Sequence, residues 1–198
     1  MEPVRVMALA VLLSLYILLA LINPRLAGIN ERFRKFIKSR RNIRMRPLMI
    51  FTHRWNDAPM LSLQVLLISL AVGFTTSEWL RPFILSAAMF WQTTLVSVTK
   101  KLSAISRPPQ DLTHRIMKSG SYPSGHTAAA ATFALLAPSV LAPYLSLPTI
   151  ILISVYLTFN ALITAYGRLY LDVHWLSDIV GGGLLSLATR VFVGIYLP

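Results

Sequence analysis

The sequence contains no cysteine, only seven acidic residues and four histidines, and charged residues make up just 13% of its 198 positions. Without cysteine there is no disulfide framework and no thiolate metal centre. The carboxylates are equally unpromising as metal ligands. Asp111, Asp172 and Asp178 lack paired spacing, and neighbouring cations repel a metal ion. Internal repeats and low-complexity tracts are also missing, and the length fits a single domain over residues 1–198. Soluble domains carry about 25% charged residues. The deficit here, with 55% hydrophobic residues and a mean hydropathy of +0.62, points to a membrane protein.

A transmembrane helix needs roughly 20 mostly apolar residues. Six stretches qualify: Val4 to Ile22, Met60 to Thr76, Phe83 to Val98, Ser124 to Ala142, Thr149 to Tyr166 and Trp175 to Leu197. The first is too long for a signal peptide, and Asn23-Pro24-Arg25 is a poor cleavage site, so it reads as a retained helix. The expected fold is therefore all-α: a polytopic bundle of six transmembrane helices. The polar segment of residues 23–59 holds ten of the 19 Lys and Arg residues, with Phe33, Phe36, Ile37 and Ile43 interleaved. That pattern suits an amphipathic helix lying on an anionic membrane surface. Hemmed in by two spans, it is a poor nucleic-acid surface, so no nucleic-acid partner is expected.

Loops alternate between the two ends of such a bundle. Residues 23–59, 99–123 and 167–174 then share one face, called the site face, and the opposite loops are short. Sixteen of the 19 basic residues fall on the site face. The positive-inside rule would make that face cytoplasmic.

Three segments on the site face carry the chemistry. Lys100 and Arg107 bracket the end of the third span, where a point charge and a planar fork could hold a phosphate or simply snorkel. Tyr122-Pro123-Ser124-Gly125-His126 opens the fourth span, where free N–H groups at a helix start form an anion site. Ser124 is a candidate N-cap or phosphate donor. Arg168, at the end of the fifth span, adds a third cation, and His174 and Asp178 stand four residues apart, on one face of a helix. A carboxylate bonded to one ring nitrogen fixes the tautomer and raises the basicity of the other. Three cations, a helix start and two histidines fit in-line displacement at phosphorus, one histidine attacking and the other protonating the leaving oxygen.

These segments resemble the signature of the type 2 phosphatidic acid phosphatase superfamily: Lys-x6-Arg-Pro, Pro-Ser-Gly-His, and Ser-Arg-x5-His-x3-Asp. Residues 100–178 carry all three, with Gly167 where the family usually has serine. The resemblance implies a membrane lipid phosphatase that needs no metal or other cofactor. In it His174 attacks phosphorus to form a phosphohistidine, Asp178 orients His174, and His126 protonates the leaving alkoxide. Lys100, Arg107, Arg168, Ser124 and the N–H of Gly125 bind the phosphate. The substrates it allows are phosphatidic acid, phosphatidylglycerophosphate, polyprenyl pyrophosphate and phosphorylated lipid A, met by the loop bearing His114, Arg115 and Lys118. It also implies a bacterial inner membrane and an outward-facing site, against the charge rule. Vanadium haloperoxidases share similar residues but are soluble, which six apolar spans oppose. A lipid phosphotransferase using the same phosphohistidine is the nearer alternative, and a non-catalytic lipid-binding protein the more distant one.

Overall fold

The computed structural model describes residues 3–113 and 115–194, and every regular element in it is helical. His114, expected near a headgroup, and the end of the last expected span at Leu197 lie outside the described residues. Helix α1 (Pro3–Ile22) starts on a proline, which costs a first-turn position nothing, and buries only Tyr16. At Pro24 the chain loses a backbone donor and tightens into a 3₁₀ turn, Asn23–Leu26, before α2 (Ala27–Ser39). A second 3₁₀ turn, where Asn42 Oδ1 accepts from Arg44 N–H at 3.1 Å, leads into α3 (Arg46–Trp55). The single amphipathic helix expected here is thus two. Proline at position 47 favours a new helix start, and the Arg40–Asn42 break lets α3 fold back over the bundle.

The remaining helices are α4 (Ala58–Thr76), α5 (Leu80–Ser103), α6 (Gly125–Leu141), α7 (Leu147–Tyr170) and α8 (Leu176–Val193). Among the described residues, five helices are long and apolar enough to cross a membrane, the first counted with its α2 extension. The expected count of six is not reproduced, because α6 has only 17 residues. The reason lies in its position. α6 packs against α5, α7 and α8 and buries Thr127, Ala128, Ala130, Phe133, Leu136 and Val140 around its circumference. A helix enclosed by its neighbours need not match the thickness of the lipid core.

The core joins Leu61 and Val65 of α4, Leu85 of α5, Phe133 and Leu136 of α6, and Leu157 of α7. Outside it, Leu66, Phe74, Phe83, Phe90, Leu152 and Phe159 are exposed, as a lipid-facing surface requires. α6 and α8 approach closely because Gly182 has no side chain: a Cβ there would lie 2.9 Å from the Ser124 carbonyl. Ser186 Oγ fills the same seam, donating to the Ala128 carbonyl at 2.9 Å. Gly182 and Ala128 thus mark a close helix contact within this chain.

The two ends of the bundle separate as expected. At one end Arg81 Nη1 donates to Ser139 O at 3.4 Å and its Nε lies 3.3 Å from Glu78. At the other, α2, the 104–124 loop and the α7–α8 turn converge.

Candidate active site

Two helix starts form its floor. Ser124 caps α6, its Oγ accepting from Thr127 N–H at 3.4 Å and lying 2.9 Å from Thr127 Oγ1. The N–H groups of Gly125 and His126 remain in the first turn, without intrahelical acceptors and at the positive end of the helix dipole. Ser124 N–H donates to Asp178 O at 3.0 Å, which fixes the start of α6 against the start of α8.

The turn between α7 and α8 presents His174. Asp172 adopts a left-handed conformation, φ 54°, which aspartate tolerates better than most residues. Its fully buried carboxylate is clamped by Arg34 Nε at 3.1 Å and Arg41 Nη2 at 2.9 Å. Two residues on, His174 Nδ1 sits 3.1 Å from Asp178 Oδ2. That oxygen also accepts from Trp175 N–H at 2.8 Å, while Oδ1 accepts from Ser121 Oγ at 3.3 Å. An ionised Asp178 can only accept, so the ring proton belongs on Nδ1 and Nε2 keeps its lone pair. Burial, then the charges of Arg168, Lys100, Arg107 and His126, hold the His174 ring well below the usual histidine range. The imidazole is therefore neutral at pH 7, as a nucleophile must be.

Arg107 covers that lone pair, with Nη1 3.3 Å from His174 Nε2 and donating to Val173 O at 2.7 Å. Its Nε donates to Ser119 O at 2.8 Å. Lys100 Nζ donates to the carbonyls of Gly120 and Ser121 at 2.9 and 3.2 Å. Arg168 is 2% exposed; its Nη1 meets His53 Nδ1, and its Nε has no hydrogen-bond partner. Among the described residues, the ion pairs within 4.0 Å include none to Lys100, Arg107 or Arg168. Two cations held by carbonyls and a third beside His53, none paired with a carboxylate among the described residues, leave a strong unneutralised positive field around His174.

His126 faces the same space from α6. Its Nε2 lies 3.3 Å from Asp57 Oδ1, and its ring packs against His53 with centroids 4.4 Å apart. The His126 ring beside Asp57 holds that carboxyl well below the usual carboxylate range, so Asp57 is ionised. His53, Asp57 and His126 also offer three ligand atoms within 4.8 Å of one another. The metal reading from sequence weighed only Asp111, Asp172 and Asp178; the structure draws together a different set.

The structure brings His174, Asp178, Lys100, Arg107, Arg168 and His126 together, with Gly125 at the α6 start beside them. Ser124 is present but fully buried, its hydroxyl engaged with Thr127. Gly167 also acquires a local explanation. A Cβ there would lie 3.3 Å from Thr52 Oγ1 and 3.4 Å from Met49 Sδ, so α3 occupies the room a serine would need. Reading the sequence missed His53, Asp57 and Ser121. One signal was available: His53 and Asp57 repeat the four-residue spacing of His174 and Asp178.

Two cavities meet at Asp57 and His126. One, of about 540 Å³, runs under residues 115–119 with His53 on its wall. The other, of about 510 Å³, descends between α4, α5 and α6 past Leu66, Phe90, Gln92 and Val96.

Fold and site together define a multi-pass helical membrane protein with a histidine–aspartate pair set among cations at one end of its bundle. The chain belongs to the PAP2 superfamily, whose family model matches residues 60–197. Its structure is similar to that of a transmembrane PAP2-type phosphatidylglycerolphosphate phosphatase from Bacillus subtilis. The TM-score is 0.84 at 21% identity, over 95% of this chain and 94% of that one. It is also similar to LpxE from Aquifex aeolicus, with a TM-score of 0.65 at 21% identity, over 85% of this chain and 96% of that one. A search of curated protein sequences finds no significant match.

Proposed function

We propose that this single domain of residues 1–198 is a lipid phosphate phosphatase working through a phosphohistidine, without a metal ion. The observation that supports the reading is a neutral, aspartate-oriented His174 surrounded by three cations that have no carboxylate partner. A phosphate monoester supplies the missing negative charge. Lys100, Arg107, Arg168 and the first-turn N–H groups of α6 hold its oxygens, and Arg107 moves off Nε2 onto the phosphate. Ser124 contributes by fixing that first turn. The Nε2 lone pair of His174 then attacks phosphorus. The bond to the lipid oxygen breaks, and His126 passes a proton to the departing alkoxide. Ionised Asp57, 3.3 Å from His126 Nε2, favours the protonated ring against the opposing effects of burial and Arg168, and the charge of the bound phosphate adds to it. Water, deprotonated by His126, hydrolyses the phosphohistidine and releases inorganic phosphate.

The competing reading is a divalent cation held by His53, Asp57 and His126, which the 4.8 Å grouping favours. One assay separates the two. Purified protein in mixed micelles should release phosphate from at least one of phosphatidic acid, phosphatidylglycerophosphate, polyprenyl pyrophosphate or phosphorylated lipid A. Release should survive EDTA and be inhibited by vanadate, which mimics the five-coordinate transition state. Loss of all activity in EDTA, restored by magnesium or zinc, would assign the three-residue group to a metal.

The exposed cations of α2 and of the turn that follows it, among them Arg32, Lys35, Arg40 and Arg44, suit anionic lipid headgroups beside exposed Phe36 and Ile43. Arg34, Arg41 and Lys38 are used differently, in ion pairs to Asp172 and Asp111. Setting those aside, the surplus of basic residues still lies on the site face, and the charge rule still places that face in the cytoplasm. The chain has no cysteine, so single exposed cysteines report sidedness cleanly. Lys118→Cys suits the site face better than position 119, because Ser119 Oγ accepts from Arg107. Ser146→Cys marks the opposite end. In intact cells an impermeant thiol reagent should label position 146 and not 118. The reverse pattern would place the site on the outer face.

A further inference from the structure

The lateral cavity contains a polar group that the phosphoryl chemistry does not use. Gln92 lies on the wall of this cavity, is 1% exposed, and neither Nε2 nor Oε1 has a hydrogen-bond partner. Its polar neighbours in the cavity are satisfied locally: Thr93 Oγ1 donates to Met89 O at 2.8 Å, and Ser69 and Ser86 face each other at 3.5 Å. A buried amide with two donors and an acceptor unpaired costs stability unless something enters to meet it.

The height of Gln92 says what that is. Val96 Cγ1 is the atom a Cβ on Gly125 would meet, at 3.3 Å, so Val96 is level with the start of α6. Gln92 stands one helical turn further from the site, about 6 Å along α5. Below it the cavity is walled by Val65, Leu66, Met89 and Phe90. A lipid whose phosphate rests on the α6 start must therefore pass its next few bonds across Gln92 before its chains reach apolar wall.

We propose that Gln92 is a specificity residue that reads an acyl carbonyl close to the phosphate. It thereby favours acylated phospholipids over isoprenoid phosphates. In a diacylglycerol phosphate the ester carbonyls sit only a few bonds from phosphorus, where the Gln92 Nε2 donor reaches them. An isoprenoid phosphate presents only hydrocarbon at that level and leaves the amide unpaired. A site built to hydrogen-bond one substrate discriminates against an analogue that lacks the partner. The inference rests on the phosphatase reading above.

The test compares wild type with Gln92→Leu and Gln92→Met in mixed micelles. Both variants place apolar groups in an apolar cavity, so folding is preserved. The substrates are dioleoyl phosphatidic acid, its dialkyl ether analogue without carbonyls, and farnesyl phosphate. Wild type should favour the diester by about ten- to a hundredfold in kcat/KM. Both variants should lose that preference by falling on the diester alone. Equal turnover of diester and ether by wild type, or a uniform loss across all three substrates in the variants, overturns the role of Gln92 and leaves the phosphatase reading standing. No phosphate release from any lipid phosphate overturns both.

Discussion

His174→Ala is expected to remove turnover, by about 10⁵-fold or more, while leaving the fold intact. The size follows from the role: deleting a covalent nucleophile removes the chemical path rather than one contact along it. Nothing else can take over. Nε2 of His174 is the unprotonated nitrogen aimed between the cations, whereas His126 Nε2 is directed at Asp57. The side chain is almost fully buried and its Nδ1 partner Asp178 retains the Trp175 and Ser121 hydrogen bonds, so truncation leaves the α8 start capped. Quenching wild type in alkaline detergent with radiolabelled substrate should trap an alkali-stable phosphoprotein that acid releases, absent from the variant. Wild-type turnover by a folded His174→Ala protein would refute the mechanism.

Arg168→Met is expected to do two opposite things: lower kcat/KM by about 10³-fold and raise thermal stability in the absence of phosphate. The first effect is the loss of a preorganised charge on the transferring phosphoryl group, worth about 3–4 kcal/mol for comparable donors. The second follows from burial. Arg168 is 2% exposed, its Nε has no partner, and Arg107 and Lys100 share its surroundings. Methionine has a similar length and no charge to desolvate, and replacing buried charge with packed apolar volume commonly stabilises by about 1–4 kcal/mol. Vanadate should raise the unfolding midpoint of wild type and narrow the gap, because a ligand stabilises the state it binds. A variant that melts lower than wild type without ligand, and keeps its turnover, would show that Arg168 is structural.

Much of this was legible in the sequence because it is local. The spans are runs of apolar residues, Ser124-Gly125-His126 announces a helix start, and His174 and Asp178 meet because four residues make one turn. What was not legible depends on contacts across the chain. Asp57 reaches His126 only because α3 folds back and ends beside α6, and no pattern near either residue encodes that return. Arg34 and Arg41 read as part of a lipid-facing basic stretch; their ion pairs with Asp172 follow from where α2 lies, across the α7–α8 turn. Gly167 read as a missing hydroxyl until Met49 and Thr52 of α3 were seen against it. The shortness of α6 had the same origin, since a hydropathy window cannot tell a helix facing lipid from one facing other helices.

The cavity past Gln92 opens sideways, at the level of Leu66 and Phe90 near the middles of α4 and α5, while the one beneath residues 115–119 opens at the end of the bundle. A substrate entering by the first route and a phosphate leaving by the second never share a phase. On the proposed lipid phosphatase reading, encounter then takes place by diffusion in two dimensions. Its rate is governed by the mole fraction of substrate in the bilayer rather than by amount per volume of suspension. Diluting the bilayer with inert lipid starves such a catalyst as surely as removing substrate does. The dephosphorylated lipid stays in the membrane where it was made, available to the next protein that draws from the same leaflet.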